Sequence, residues 1–267
     1  NLGTTRSMPS FKSRSGLPYE EHFRLDLGEL RTRLADHLGV EIIGAVFSVP
    51  PCYGPTQRSA LRELAVGAGF GMVQLVDDTL AATLATYVSG VGQRDVLVYS
   101  MGKSGFCASV VRLETQQLRS LSHEGSEDIG GAAFDALLLH TIVEQQKQPG
   151  LDILGRHSIL RALPGRIGEA RVALDTASRV PIELGPMGAT TARAVIAPIE
   201  LEAETVERIL APLIEASVEL ARLAVREAGL HPDQVCDILL VGRVANTRMV
   251  RAALERGHVI DAPVGND

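Results

Sequence analysis

The sequence is poor in aromatic residues and in cysteine. Aromatic residues make up 4% of its 267 positions and tryptophan is absent, which argues against a sugar-binding or base-stacking groove, because such grooves use aromatic platforms. The three cysteines, Cys52, Cys107 and Cys236, contain no CxxC pair, so their spacing indicates neither a zinc site nor a disulfide framework. We expect them to be reduced and mostly packed, as in a cytosolic or organelle-matrix protein.

Long apolar runs and an excess of positive charge are also missing. The apolar runs are too short for a membrane span, and the first residues show no signal-peptide pattern. The formal net charge is -6, which argues against direct binding of nucleic acid, because such binding needs a basic face. The seven histidines show no HExxH or similar spacing, so the sequence predicts no metal site of that kind.

What the sequence does contain is a core of aliphatic residues arranged as alternating strands and helices. Hydrophobic residues make up 45% of the chain, which suits an α/β protein whose strands are buried on both faces. Leucine spacing predicts a first helix over 25–40. The predicted strands cover 41–50, 72–78, 95–101, 106–114, 117–126, 179–185, 192–199 and 236–242. The other predicted helices cover 54–70, 79–89, 132–146, 167–178, 201–229 and 246–257.

Glycine turns follow several of these strands. They lie at Gly102 and Gly105 in a hairpin, at Gly130 and Gly131 before a helix, and at Gly242 before the last helix. Such turns let backbone N–H groups and a helix dipole face an anion. One turn alone is more often a simple tight turn, but three in one α/β chain favour a nucleotide cleft. None matches the Walker or GxGxxG pattern, so neither a P-loop nor a Rossmann site is indicated.

The stretch NLGTTRS at the start adds a fourth candidate. It places the hydroxyl groups of Thr4 and Thr5 beside Gly3, and hydroxyls next to exposed N–H groups suit phosphate oxygens. The alternative is that this stretch is only a frayed end.

Taken in order, these motifs resemble the nucleotide-binding domain of the DnaK-type 70-kDa heat-shock chaperones, in the actin and hexokinase superfamily. NLGTTRS is similar to the first phosphate loop of that family, DLGTTxS, and DVLVYSMGKSGFCASVV falls where the family has its second, DLGGGTFDVS. EDIGGAAFD resembles LGGEDFD, EARVALDTASRVPIEL resembles the adenosine-contacting helix and strand, and DILLVGRVANTRMVRAAL resembles VLVGGSTRIPKVQ. The longest match is AVFSVPPCYGPTQRSALRELAVGAGFGMVQLVDDTLAATLATY, and the order holds from about residue 36 to 256.

The resemblance implies a two-lobed, actin-like ATPase fold of the α/β class. Lobe I would cover 1–94 and be reduced in size, because most of the family's first lobe has no counterpart between Ser7 and Leu25. Either the protein has lost this part, or the sequence joins separate pieces of a longer chain. Lobe II would cover 95–267, with its core at 95–131 and 201–267. An α/β cap at 132–200 would be inserted into that core.

Several family residues that serve the phosphates or the metal are changed. The aspartates that begin the two phosphate loops correspond to Asn1 and Ser100, and the family's glutamate before Pro-Thr-Ala-Ala corresponds to Asp78. The lysine near the γ-phosphate has no identifiable counterpart. Because Mg²⁺ is held through acidic side chains and phosphate oxygens, we expect no metal site. Asp78 and Lys103 remain only as degenerate candidates for a catalytic role.

The resemblance also implies which residues would contact a nucleotide. The family's adenosine-contacting Lys and Arg correspond to Arg171 and Val172, and the second glycine of the last turn is Arg243. Lys103 either offsets phosphate charge in place of the metal or is a solvent-facing hairpin lysine. The candidate nucleotide-binding residues are Gly3, Thr4, Thr5, Gly102, Lys103, Ser104, Gly105, Gly130, Gly131, Arg171, Gly242 and Arg243.

The expected function is that of a degenerate chaperone-type nucleotide-binding domain. It would bind ATP or ADP weakly or not at all, with Mg²⁺ doubtful, and act as a co-chaperone, regulatory or scaffolding partner in protein folding and the stress response. The implied partners are cytoplasmic proteins, namely co-chaperones, a nucleotide exchange factor, a J-domain protein or a ribosome-associated complex, with no membrane. An active chaperone ATPase is the alternative, so the question of enzymatic activity stays open. A sugar or acetate kinase is disfavoured, because no catalytic aspartate is identified in a substrate cleft.

Overall fold

The computed structural model describes residues 17–87, 93–115, 117–145, 157–183 and 198–257. Its α-helices are α1 (Leu17–Leu38), α2 (Pro55–Gly67), α3 (Asp78–Tyr87), α4 (Gly131–Gln145), α5 (His157–Ala173), α6 (Ala203–Glu227) and α7 (Arg248–Arg256), with a 3₁₀ turn at Pro232–Gln234. Its strands are β1 (Gly44–Val49), β2 (Met72–Asp77), β3 (Arg94–Met101), β4 (Phe106–Glu114), β5 (Gln117–Ser126), β6 (Arg179–Ile182), β7 (Ile199–Glu202) and β8 (Asp237–Val241).

The first sheet is small and parallel. Strands β1 and β2 pair in parallel, since helix α2 connects them and brings the chain back to the same end of the sheet. Its core is a cluster in which Leu61 and Ala65 of α2 pack with Phe23 and Leu27 of α1. The apolar spacing of those two helices therefore buries one face of this sheet.

The second sheet has four strands in the order β5-β4-β3-β8. Strand β3 lies inside it, antiparallel to β4 and parallel to β8. The side chains from Val96 to Tyr99 are all fully buried, so both faces of β3 are covered. This double burial explains why the strand is a continuous apolar run rather than an alternating one.

Helix α6 covers one face of the four-stranded sheet and contacts β4 and β5. Its buried residues recur at helical spacing, as Val206, Leu210 and Ile214 illustrate. Tyr99 and Ser217 share a buried hydrogen bond of 2.5 Å between their hydroxyl groups, which satisfies the polar tip of an aromatic side chain in the core. The prediction of one long helix here, Pro212 included, agrees with the structure.

The region after α4 departs most from the predictions. Helix α5 begins at His157 and includes Pro164, whereas the sequence predicts a helix at 167–178. Strands β6 and β7 form an antiparallel pair, but β7 begins at Ile199, where the predicted strand ends. Buried Leu201, which pairs with Val180, explains this position. The predicted positions 192–197 lie outside the described residues.

The mixed α/β content predicted from the sequence is confirmed. Two core clusters lie on either side of residue 94, but α3, which precedes that residue, packs against the four-stranded sheet. The lobe and cap boundaries stay predictions. No helix in the part of the chain that the structure describes is both long and apolar enough to cross a membrane.

Candidate nucleotide site

The hairpin between β3 and β4 is the centre of the candidate site. The N–H of Gly102 donates to the carbonyl oxygen of Gly105 at 3.1 Å, which closes a tight turn through Lys103 and Ser104. The Lys103 side chain is exposed. The turn therefore sits where β3 ends, as predicted.

The turn at Gly130 and Gly131 packs directly on this hairpin. A Cβ atom at Gly130 would lie 2.9 Å from the Gly105 nitrogen, so only glycine permits so close an approach. The N–H groups of Gly131 and Ala132 donate to the carbonyl oxygens of Gly102 and Lys103, at 3.0 and 2.8 Å. Those two amides are therefore already used, and α4 offers fewer free donors to a phosphate than a glycine turn before a helix suggests.

The turn at Gly242 reaches the same place from the other side. Gly242 has φ of +93°, and a Cβ atom there would lie 2.6 Å from the carbonyl oxygen of Met101, the last residue of β3. That carbonyl oxygen accepts a hydrogen bond from the N–H of Ala245. The three predicted glycine turns thus converge at the end of β3, although their binding of a nucleotide remains a prediction.

Two cavities flank the hairpin turn. The smaller cavity, of about 590 Å³, lies between the loop after β1 and strands β4 and β5, and it includes Asp78, Ser104 and Gly105. The larger cavity, of about 850 Å³, lies between α4, α5 and the turn after β8. Gly102 and Lys103 line both cavities. A molecule that extended past this turn would reach from one cavity into the other.

Arg171 lines the larger cavity, but its guanidinium group already interacts with neighbouring side chains. Its Nε lies 2.7 Å from Asp135 Oδ1, and its guanidinium lies 5.9 Å from the centre of the Phe134 ring. The side chain is almost completely buried, whereas Arg243, on the opposite wall, is exposed. Because an ion pair already neutralises Arg171, its charge is only partly available to an anion.

Asp78 is the predicted catalytic candidate that the smaller cavity contains. It opens α3 directly after β2, and its neighbour Asp77 is held by Arg58 at 2.6 Å. Within the described chain, the buried Oδ1 of Asp78 has no hydrogen-bond partner. Burial, followed by the nearby Asp77 charge, raises the pKa of Asp78 to about 6, while the Thr79 backbone and Arg58 act in the opposite direction.

The raised pKa of Asp78 predicts that the protein loses stability as the pH rises. The folded state holds the proton more tightly than the unfolded chain, so stability falls between about pH 4 and pH 6 and stays lower above that. At pH 7, Asp78→Asn is therefore expected to raise the free energy of unfolding by about 2 kcal/mol. Urea unfolding of both proteins at several pH values measures this difference.

The matched control is Asp77→Asn, which removes the partner of Arg58 and is expected to lower stability at pH 7. A stability difference between Asp78→Asn and the unaltered protein that stayed constant from pH 4 to pH 7 would contradict the assigned pKa.

The residues around the smaller cavity do not fit Mg²⁺. Ser100 stands where the family motif DLGGGTFDVS has its first aspartate, and Cys107 stands where it has its second. Mg²⁺ demands oxygen ligands in near-octahedral geometry, usually including carboxylates. In the described ranges, no group of three His, Cys, Asp or Glu side chains could hold a metal ion.

The sequence reasoning missed one pair at this site. The sulfur atoms of Cys52, in the loop after β1, and Cys107, in β4, lie 2.9 Å apart. The expectation that the cysteines are mostly packed is wrong, since Cys52 and Cys236 are exposed and only Cys107 is buried. The two cysteines are 55 positions apart, so local spacing in the sequence could not predict their contact.

Gly3, Thr4, Thr5 and Asn1 lie outside the described residues.

Comparison with known proteins places this geometry in a family context. The family model described as "Hsp70 protein" matches residues 25–256. A chaperone protein HscA homolog from Cupriavidus metallidurans is 32% identical over 228 residues, which cover 85% of this chain and 35% of that protein. The HscA homolog from Azotobacter vinelandii is 30% identical over 224 residues, covering 84% of this chain and 34% of that protein.

A more distant relative matches over more of the chain. The chaperone protein DnaK from Thermosipho melanesiensis is 25% identical over 263 residues, which cover 94% of this chain and 44% of that protein. The chain thus spans about a third of the length of the HscA relatives that it matches.

Proposed function

Since the chain belongs to the Hsp70 family, we propose that it is a degenerate chaperone-type nucleotide-binding domain. It binds ATP weakly or not at all, does not hydrolyse it at a useful rate, and acts as a co-chaperone, regulatory or scaffolding partner in protein folding. The observation that carries this proposal is the replacement of two phosphate-loop carboxylates at the smaller cavity, where Ser100 and Cys107 occupy the two aspartate positions of the family motif, while Asp78 and Glu127 remain in its wall.

The larger cavity supports a residual affinity for a nucleotide. Its volume of about 850 Å³ is in the range of small-molecule sites. Its cations Lys103, Arg171 and Arg243 are matched in number by three carboxylates on its wall, those of Asp135, Glu169 and Asp175. With these charges cancelled and no metal to neutralise a triphosphate, the attraction for ATP is weak.

An active chaperone ATPase is the second candidate, and Asp78 is the observation that favours it. Asp78 lines a cavity next to the hairpin turn and has one buried carboxylate oxygen without a partner among the described residues, and a pKa near 6 suits a general base. This candidate requires metal ligands from parts of the protein outside the described residues.

The implied partners follow from the family and are part of the proposal. We infer a cytoplasmic protein that works with co-chaperones, such as a J-domain protein, a nucleotide exchange factor or a ribosome-associated complex. Exposed apolar side chains on β1 and β2, including Val46 and Met72, offer contact area of the kind that protein partners use.

Calorimetric titration of the full-length protein with ATP, with and without Mg²⁺, tests the proposal. We expect a dissociation constant weaker than about 100 μM, which corresponds to less than about 5.5 kcal/mol, or no measurable heat. Magnesium should not tighten binding. If heat is measurable, Lys103→Ala should weaken binding, whereas Arg256→Ala, on α7, should not.

If Mg²⁺ lowered the dissociation constant for ATP by more than about tenfold, equivalent to about 1.4 kcal/mol, the proposal of a degenerate domain would be rejected and that of an active ATPase supported.

A further inference from the structure

Two cysteines, one in a loop and one in a strand, meet in the wall of the smaller cavity. Cys52 lies in the loop between β1 and α2, and Cys107 lies in β4 of the four-stranded sheet. Their sulfur atoms are 2.9 Å apart. Both cysteines are free thiols in the structure, so the contact is one between unbonded side chains.

The short contact between the two free thiols suits the formation of a disulfide better than the sharing of a metal ion. Two thiolates on a tetrahedral zinc, each at about 2.3 Å, place their sulfur atoms about 3.8 Å apart. A disulfide bond is about 2.05 Å long, so the sulfurs need to move about 0.9 Å closer. Cys52 can supply this movement, because it is the exposed member of the pair.

Gly125 provides an independent sign that the space is shaped for the Cys52 sulfur. Gly125 of β5 is the pairing partner of Cys107. A Cβ atom at this position would lie 2.6 Å from Cys52 Sγ and also 2.6 Å from the Phe106 carbonyl oxygen, so a larger residue would crowd both the sulfur and the backbone of β4. The strand beside Cys107 therefore lacks a side chain at the point where Cys52 enters.

The two thiols have different chemical characters. The hydrogen bond from Cys107 lowers the pKa of Cys52, although burial and the nearby Asp78 and Glu124 carboxylates oppose this effect. The same hydrogen bond, together with burial, raises the pKa of Cys107. Cys52 is thus the exposed thiol that loses its proton more readily, and Cys107 is the thiol that keeps its proton.

We propose that Cys52 and Cys107 are a peroxide-reactive thiol pair, whose oxidation covalently joins the loop after β1 to the four-stranded sheet at the smaller cavity. The Cys52 thiolate attacks one oxygen of hydrogen peroxide, breaks the O–O bond and becomes a sulfenic acid, while the released hydroxide takes up a proton to form water. The Cys107 sulfur then attacks the Cys52 sulfur and expels a second water molecule. Two thiols and one peroxide give one disulfide and two waters.

The bond would fix the spacing of the two sheets where the cavity lies between them, since Cys52 and Cys107 both line it. Such a transient, reversible disulfide is the kind found in proteins of a reducing compartment. This inference does not depend on nucleotide binding, because it concerns only the thiols and the chain segments that carry them.

Peptide mapping under non-reducing conditions tests the proposal. The full-length protein is treated with a small excess of hydrogen peroxide, its remaining thiols are alkylated, and it is digested. We expect a cross-linked peptide that contains Cys52 and Cys107 and is two hydrogens lighter than its parts, with Cys236 alkylated. Reduction should restore both thiols. The matched control Cys236→Ser should give the same cross-link, and Cys52→Ser should give none and leave Cys107 a thiol.

Alkylation kinetics on the unaltered protein provide a measurement that no variant's folding can disturb. Before oxidation, Cys52 should react with iodoacetamide at least about threefold faster than Cys236, which is also exposed, because thiolate content governs the rate of alkylation. Oxidation of Cys236 before the pair, a link to Cys236, or cross-links found only between two molecules would overturn the proposal.

Discussion

Gly242→Ala is expected to lower the free energy of unfolding by about 3 kcal/mol or more, which is the largest stability loss that the structure predicts. Its φ of +93° is unfavourable for any residue with a Cβ atom. That atom would also lie 2.6 Å from the Met101 carbonyl oxygen, and overpacking of this kind costs a further 1–3 kcal/mol, roughly. Met101 has little room to move, because it is itself fully buried and ends a strand that pairs on both sides.

Gly229→Ala is the matched control for this prediction. Gly229 also has a positive φ, of +71°, but a Cβ atom there would meet nothing within 4 Å. Its replacement should cost only about 1 kcal/mol, from backbone strain alone. Chemical denaturation of both variants gives the two free energies. Equal losses would show that the contact between the last turn and the end of β3 is not as close as described.

The sequence was sufficient for most strands and long helices, for identifiable physical reasons. Strands β3 and β8 are short apolar runs bounded by polar or glycine residues, and burial of β3 on both faces and of Ile238 and Leu240 in β8 explains why those runs are strands. The long amphipathic pattern of α6 outweighed Pro212, because its buried stripe continues on both sides of the proline.

Proline explains two of the errors. Helix α1 begins at Leu17 rather than near residue 25, because Pro18 lies in the first turn, where a missing N–H costs little. Helix α5 begins at His157 and includes Pro164, whereas the sequence predicts a helix only from residue 167 onward. Packing of α5 against α4 and β6 sustains the helix through this position. Local propensity cannot report such tertiary support.

The candidate site was only partly predictable. Glycine has no Cβ atom and therefore often marks places where two backbone segments approach closely. The convergence of the turns at Gly102, Gly130 and Gly242 could thus be expected from their residue type. Residue type does not show which donors are already used, and the amides that open α4 proved to be occupied. Nor does it show that Arg171 is paired with Asp135, because both facts depend on how distant segments pack.

The expected loss of ATP hydrolysis has the largest effect on function. Attack of water on a γ-phosphate requires that the developing charge be neutralised, chiefly by Mg²⁺, and that the nucleophile be positioned. The smaller cavity presents Ser100 and Cys107 in place of two aspartates, and a hydroxyl and a thiol are poor substitutes for carboxylates around Mg²⁺. A misplacement of about 1 Å alone can cost about 10²-fold, so the shorter Asp78 in place of glutamate weakens the reaction further.

Substitution of Asp78 distinguishes a protein that has lost ATP hydrolysis from one that hydrolyses ATP slowly. A protein that retained catalysis through Asp78 would lose it in Asp78→Asn, because the amide can neither take up a proton nor carry the charge. A protein without catalysis would be unaffected by that substitution. Asp77→Asn serves as the control, since Asp77 is held by Arg58 beside the cavity.

A single-turnover assay with the full-length protein in excess over γ-labelled ATP, with and without Mg²⁺, tests the central claim most directly. The account predicts phosphate release no faster than in a protein-free sample, independent of Mg²⁺ and unchanged by Asp78→Asn. Release that is at least about 10²-fold faster with Mg²⁺, and that Asp78→Asn abolishes, would contradict it.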